Sequence, residues 1–119
     1  MVKIQVLVMK VFGQNGGAYD SDIMAAVEDA IVLGADAINL AENPLARPRM
    51  GNIALGSLIQ RDVGIPVIIH VTGRDRNLIG MQSDLMGASL LGIRNVLAVT
   101  GDPATMGDHA GATSVFDLH

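Results

Sequence analysis

Four short apolar runs punctuate the chain: Ile4 to Val11, Ala37 to Leu40, Val67 to Val71 and Val96 to Val99. Each is nearly all apolar and lacks the polar alternation of a half-exposed strand, so the pattern predicts strands buried on both faces. Between the runs the period changes to three and four. Ile23, Met24, Val27 and Ile31 share a helical face opposite Glu28 and Asp29, behind an Asp20-Ser21-Asp22 start that suits a helix N-terminus. Ile53, Leu55, Leu58 and Ile59 mark a second helix that opens near Pro48 and stops at Gly64, with Pro66 barring continuation. Leu78, Met81, Leu85 and Ala88 mark a third, capped by Asp75 or Asn77. The predicted helices cover residues 20–33, 46–63 and 76–91.

Gly34, Gly64 and Gly92 each close a helical segment, 30 and 28 residues apart, and each is followed within a few residues by a β-branched run. That spacing is one βα unit. The expected fold class is therefore α/β, with four parallel strands alternating with three helices in βαβαβαβ order and right-handed crossovers. The same units serve a Rossmann- or flavodoxin-like open sheet and a half TIM barrel. Gly80, Gly87 and Gly92 read as room for close helix packing, and the methionines as helix-face packing. After Val99 the chain turns at Thr100-Gly101-Asp102-Pro103 and runs through a Gly/Ala/Thr-rich loop to Thr113, with Val115 to Leu118 able to begin another helical turn.

With 119 residues the chain reads as a single domain, too short for a complete eight-stranded barrel of ~250 residues. A net charge of −4 and no basic cluster argue against nucleic acid, and no apolar run approaches the ~20 residues of a membrane span. Met1-Val2-Lys3 leads directly into the first apolar run without a signal-peptide pattern, so a cytoplasmic setting is expected. There is no cysteine to serve as nucleophile or metal ligand, and His70, His109 and His119 are too scattered to suggest a metal site. Gly13-x-x-Gly16-Gly17 has the wrong spacing for a dinucleotide fingerprint, and Glu42 is only a weak candidate for a ribose contact.

Two resemblances run along the chain. Leu7 to Gly13, Gly16 to Asp22, Met24 to Ala30 and Gly34 to Leu40 resemble a strand–helix–strand piece of subtilisin-like serine proteases. From about Asp36 onward, Asn43-Pro44-Leu45-Ala46-Arg47-Pro48-Arg49-Met50, His70-Val71-Thr72, Arg74-Asp75-Arg76-Asn77-Leu78-Ile79-Gly80 and Val96 to Pro103 resemble bacterial methylenetetrahydrofolate reductases, in particular the reductase half of bifunctional homocysteine-methyltransferase fusions. Together these imply an engineered chimera, residues 1–38 derived from a protease and 39–119 from a reductase barrel, with no evolved catalytic activity. Gly73 stands where the reductase pattern usually has cysteine.

No protease catalytic motif lies in the matching piece, and Ser21, Ser57, Ser83, Ser89 and Ser114 read as cap, surface or packing positions. The reductase resemblance implies FAD across the C-terminal ends of the strands, with His70 and Thr72 after the third predicted strand and Asp102 after the fourth as a vestigial cofactor site. The alternative to an inactive scaffold is thus a truncated FAD-binding fragment with residual flavin binding. From the residues themselves, His70 reads first as a hydrogen-bonded strand end, Asp102 as a turn former in its own right and Arg74-Asp75-Arg76 most simply as a solvated helix start. Three helices are too few to cover both faces of four strands, and Ile4 to Val11 makes an edge guarded only by Lys3 and Lys10. A homodimer through a sheet edge or an uncovered sheet face is therefore expected.

Overall fold

The computed structural model describes residues 20–118. The chain divides into two compact units, Met1–Asp36 and Ala37–His119. The described part of the first is helix α1 (Asp20–Val32), which buries Ile23, Val27 and Ala30 at steps of four and three. It ends with Gly34 at φ +92° and the Ala35 amide bonded to the Ala30 carbonyl. The helix over Leu78–Leu90 ends identically, with Gly92 at φ +87° and Ile93 bonded to Ala88, so the glycine punctuation is a repeated left-handed cap.

The second unit runs β1 (Ile38–Leu40), α2 (Asn52–Asp62), β2 (Val67–Thr72), α3 (Leu78–Leu90) and β3 (Asn95–Val99), with single 3₁₀ turns at Pro44–Ala46 and Ala104–Met106. The strands form one parallel sheet in the order β1-β2-β3. In register, Leu40 lies opposite Ile69, and His70 and Thr72 lie opposite Leu97 and Val99. Among the described residues there are three strands, not four; the predicted strand over Ile4 to Val11 lies outside them. A succession of neighbours in chain order belongs to a barrel and to half of a doubly wound sheet alike.

The expectation of strands buried on both faces holds only for the centre of the sheet. Val67 and Ile69 are fully buried in β2, whereas Val96 and Leu97 in β3 are 48% and 46% exposed. The cause is position: β2 has a neighbour on each side and β3 is an edge among the described strands. Among the described residues, close helix packing depends on Gly56 and not on the glycines of α3. A Cβ at Gly56 would stand 3.0 Å from Val67 Cγ2 and 3.3 Å from Leu40 Cδ1, whereas one at Gly87 would meet no described residue within 4 Å. Methionine packing is likewise partial, since Met81 is buried while Met50, Met86 and Met106 are exposed.

Two further expectations change. Helix α2 begins at Asn52 rather than near 46, because Pro44 seats a 3₁₀ turn and Arg47, sterically restricted by Pro48, is extended at φ −105° and ψ 130°. The C-terminal residues do not start a helix. The Val115 and Phe116 amides donate to the Arg74 and Gly73 carbonyls at 2.8 and 2.9 Å, and the Asp117 carboxylate accepts from the Leu78 amide at 3.0 Å. Those bonds draw residues 115–117 along the β2–α3 connection as a strap. No helix among the described residues is long and apolar enough to cross a membrane.

Candidate functional site at the C-terminal ends of the strands

Parallel strands point their carboxyl ends the same way, so the connections leaving β1, β2 and β3 meet at one end of the sheet. This end carries a cluster of charged and amide side chains. Thr72, the last residue of β2, is fully buried. Its amide donates to Glu42 Oε2 at 2.6 Å, and its hydroxyl donates to the Thr100 carbonyl at 2.7 Å while accepting from the Arg74 amide at 3.2 Å. One residue thereby ties the β1, β2 and β3 exits together.

Arg74 extends the tie. Its side chain is 3% exposed. Nε and Nη2 form a bidentate pair with the Asp75 carboxylate at 2.6 and 2.8 Å, Nη2 also donates to the Asn43 carbonyl at 3.1 Å, and Nη1 donates to the Asp102 carbonyl at 3.0 Å. The guanidinium's hydrogen bonds hold the Asp75 carboxyl below the usual aspartate range, and the carboxylate raises Arg74 further above its own. Asn43 donates from Nδ2 to Asp75 at 3.0 Å and accepts from the Arg49 amide at 2.8 Å. Arg76 bridges Glu42 and Asp84.

Asp102 follows β3. Its Oδ2 accepts from the Leu45 amide at 3.1 Å, and no bond from the described residues reaches its other carboxylate oxygen. Just before it, Gly101 sits at φ +89° with its α-carbon so close to the Thr72 hydroxyl that a Cβ would overlap it. His70 lies two residues before Thr72, half-buried, with Nε2 at 3.0 Å from Asn39 Oδ1. Beneath, the buried Asn52 donates to the carbonyls of His70 at 2.8 Å and Leu40 at 3.3 Å, fastening the start of α2 to β1 and β2.

The three residues singled out in the sequence therefore share one end of the sheet but stand differently. Thr72 and Asp102 are joined through Arg74, His70 is joined to Asn39 instead, and the Thr72 hydroxyl is fully engaged by main-chain groups. Reading Arg74-Asp75-Arg76 as a solvated helix start was wrong for the arginines: Arg74 is buried, Arg76 is largely covered, and Asn77 caps α3 by accepting from the Gly80 amide at 2.9 Å. Glu42 is a structural ligand of Thr72 and Arg76. Asn43, Asn52 and Arg74 went unrecognised as site residues. The signal available was the density of charge at a strand exit, Arg74-Asp75-Arg76, set against Glu42-Asn43 at the neighbouring exit.

In parallel α/β enzymes ligands bind at the carboxyl ends of the strands, the end where this polar cluster lies. The methylenetetrahydrofolate reductase family model matches residues 19–118, and the chain belongs to that family. No curated protein and no solved structure matches it. The family match overturns the expectation of a chain without enzymatic character, because the domain is that of an enzyme family. It also runs unbroken through residues 36–40, where the two resemblances were expected to meet. Helix α1 and strand β1, likened to a protease, are matched by the reductase family itself, and neither a protease segment nor an engineered junction finds support.

Proposed function

We propose that this chain carries part of the flavin site of a methylenetetrahydrofolate reductase, with FAD held across the carboxyl ends of β2 and β3. The observation that carries this reading is Asp102: a half-buried carboxylate fixed at its carbonyl by Arg74 and at one oxygen by the Leu45 amide, with no described residue bonded to the other oxygen. A carboxylate so fixed suits a polar ring edge, and the imidazole of His70, paired at one nitrogen with Asn39, supplies a second polar group at the same end. FAD, when bound, supplies hydride transfer.

The residues of the chain bind and orient. Asp102 and His70 face the cofactor. Thr72 acts from beneath, because its hydroxyl already serves Thr100 and Arg74 and so sets the spacing between the β2 and β3 exits. Titration of the purified chain with FAD, followed by the visible absorption band, tests the reading. Saturable binding is expected, weakened about tenfold or more by Asp102→Ala and by His70→Ala. A wild-type chain that leaves the flavin spectrum unchanged up to about 1 mM, the range of a very weak complex, overturns it.

A further inference from the structure

Arg74 does more than pair with Asp75. A buried guanidinium needs a partner for each donor direction, and here two of those partners are main-chain carbonyls on different connections: Asn43, after β1, and Asp102, after β3. Asp102 is thus gripped at two points, its carbonyl by Arg74 Nη1 and its carboxylate by the Leu45 amide, which itself lies on the connection that Arg74 holds through Asn43. Fixing one residue at both its carbonyl and its carboxylate sets the direction in which the remaining carboxylate oxygen points.

We propose that Arg74 is a positioning residue that aims the Asp102 carboxylate through its guanidinium fork, and that this use of the fork is separate from the Arg74–Asp75 ion pair. The role in cofactor binding rests on the flavin reading above; the aiming of Asp102 does not. Two variants separate fork from charge. Arg74→Lys keeps a cation beside Asp75, but an ammonium cannot reach Asn43 and Asp102 in the planar geometry of the fork. Asp75→Asn removes the ionic partner but keeps an amide oxygen for the guanidinium, and it leaves the fork on both carbonyls with the Glu42 and Asp102 charges still acting on it.

Amide hydrogen exchange at Leu45, whose N–H bonds Asp102, reads the aim directly. Exchange about tenfold faster is expected in Arg74→Lys, with the Ile69 amide of the core unchanged, and exchange within about threefold of wild type is expected in Asp75→Asn. In the FAD titration the same order should appear: about tenfold weaker binding and a shifted visible band for Arg74→Lys, and wild-type behaviour for Asp75→Asn. Equal loss in both variants, or an unaltered Leu45 amide in Arg74→Lys, overturns the proposal. If Asp75→Asn fails to fold, the Leu45-against-Ile69 contrast in Arg74→Lys decides alone. If the wild type binds no flavin while the exchange pattern holds, the flavin reading fails and the aiming of Asp102 stands.

Discussion

At the amino end of the sheet neutral amides make the side-chain bonds to the strand entries, and among the described residues the one charged fastening, the exposed Arg94, reaches only the neighbouring Ser89 and Ile93. Gln60 donates to the Gly92 carbonyl and accepts from the Val67 amide, and Asn95 donates to the Val67 carbonyl. At the carboxyl end the neutral Asn43, Asn52 and Thr72 are joined by the charged Glu42, Arg74, Asp75 and Arg76, with Arg74 almost fully enclosed. Both ends solve one problem, the joining of neighbouring strand ends, and among the described residues no buried side-chain nitrogen or oxygen lacks a partner. They solve it at different cost. A buried amide needs only its hydrogen bonds, whereas a buried ion also needs a counter-ion to offset lost hydration. Stability alone is served by the cheaper solution, so the charged one belongs to the end where ligands of parallel α/β sheets bind.

That contrast can be broken most sharply at Arg74. Replacement by Met leaves the Asn43 and Asp102 carbonyls without their donor and the partly exposed Asp75 carboxylate with Asn43 alone, and should cost about 2–4 kcal/mol in chemical denaturation. Gly101→Ala should follow at about 1–3 kcal/mol, because a methyl there meets the Thr72 hydroxyl and the backbone is at positive φ. At the amino end, Gln60→Ala should cost about 1 kcal/mol, the worth of ordinary neutral hydrogen bonds. Acid separates the ends without mutation. The Asp75 carboxyl is held below its usual range, so its contribution is present above the unfolded value near ~3.9 and lost as pH falls through the lower folded value. A stability–pH curve should show a falling acid limb that Asp75→Asn flattens. Smallest of all, Arg61→Ala should leave the denaturation midpoint in place, since the Arg61–Asp62 pair is solvent-exposed and screened.

Local pattern made much of this fold legible. The α1 and α3 segments, the runs at 37–40, 67–71 and 96–99, and the glycine caps follow from periodicity and backbone sterics, which act over a few residues. The start of α2 did not, although its cause is local: Pro48 was read as a helix opener, while its effect on Arg47 and the turn at Pro44 delayed the helix to Asn52. Burial of β3 was misjudged because an apolar run does not say whether its strand is central or at an edge. Of the candidate site, His70, Thr72 and Asp102 came from the reductase resemblance, which also puts them at strand exits, whereas Arg74 looked like surface because its carbonyl partners, Asn43 and Asp102, are 31 and 28 residues away and carry no side-chain signature.

The reach of Arg74 also bears on when its bonds form. Its partners lie on the exits of β1 and β3, so the fork closes only after three strands and two crossover helices have come into register. Interactions of such long span are expected to be absent from the folding transition state, where loop-closure entropy favours nearer contacts. Weakening them should then leave the refolding rate unchanged and accelerate unfolding. In a denaturant-jump experiment, Arg74→Lys should steepen the loss of the native state while the refolding arm superimposes on wild type. The guanidinium would thus act as a latch on an already folded sheet, prolonging the lifetime of the native state without hastening its arrival.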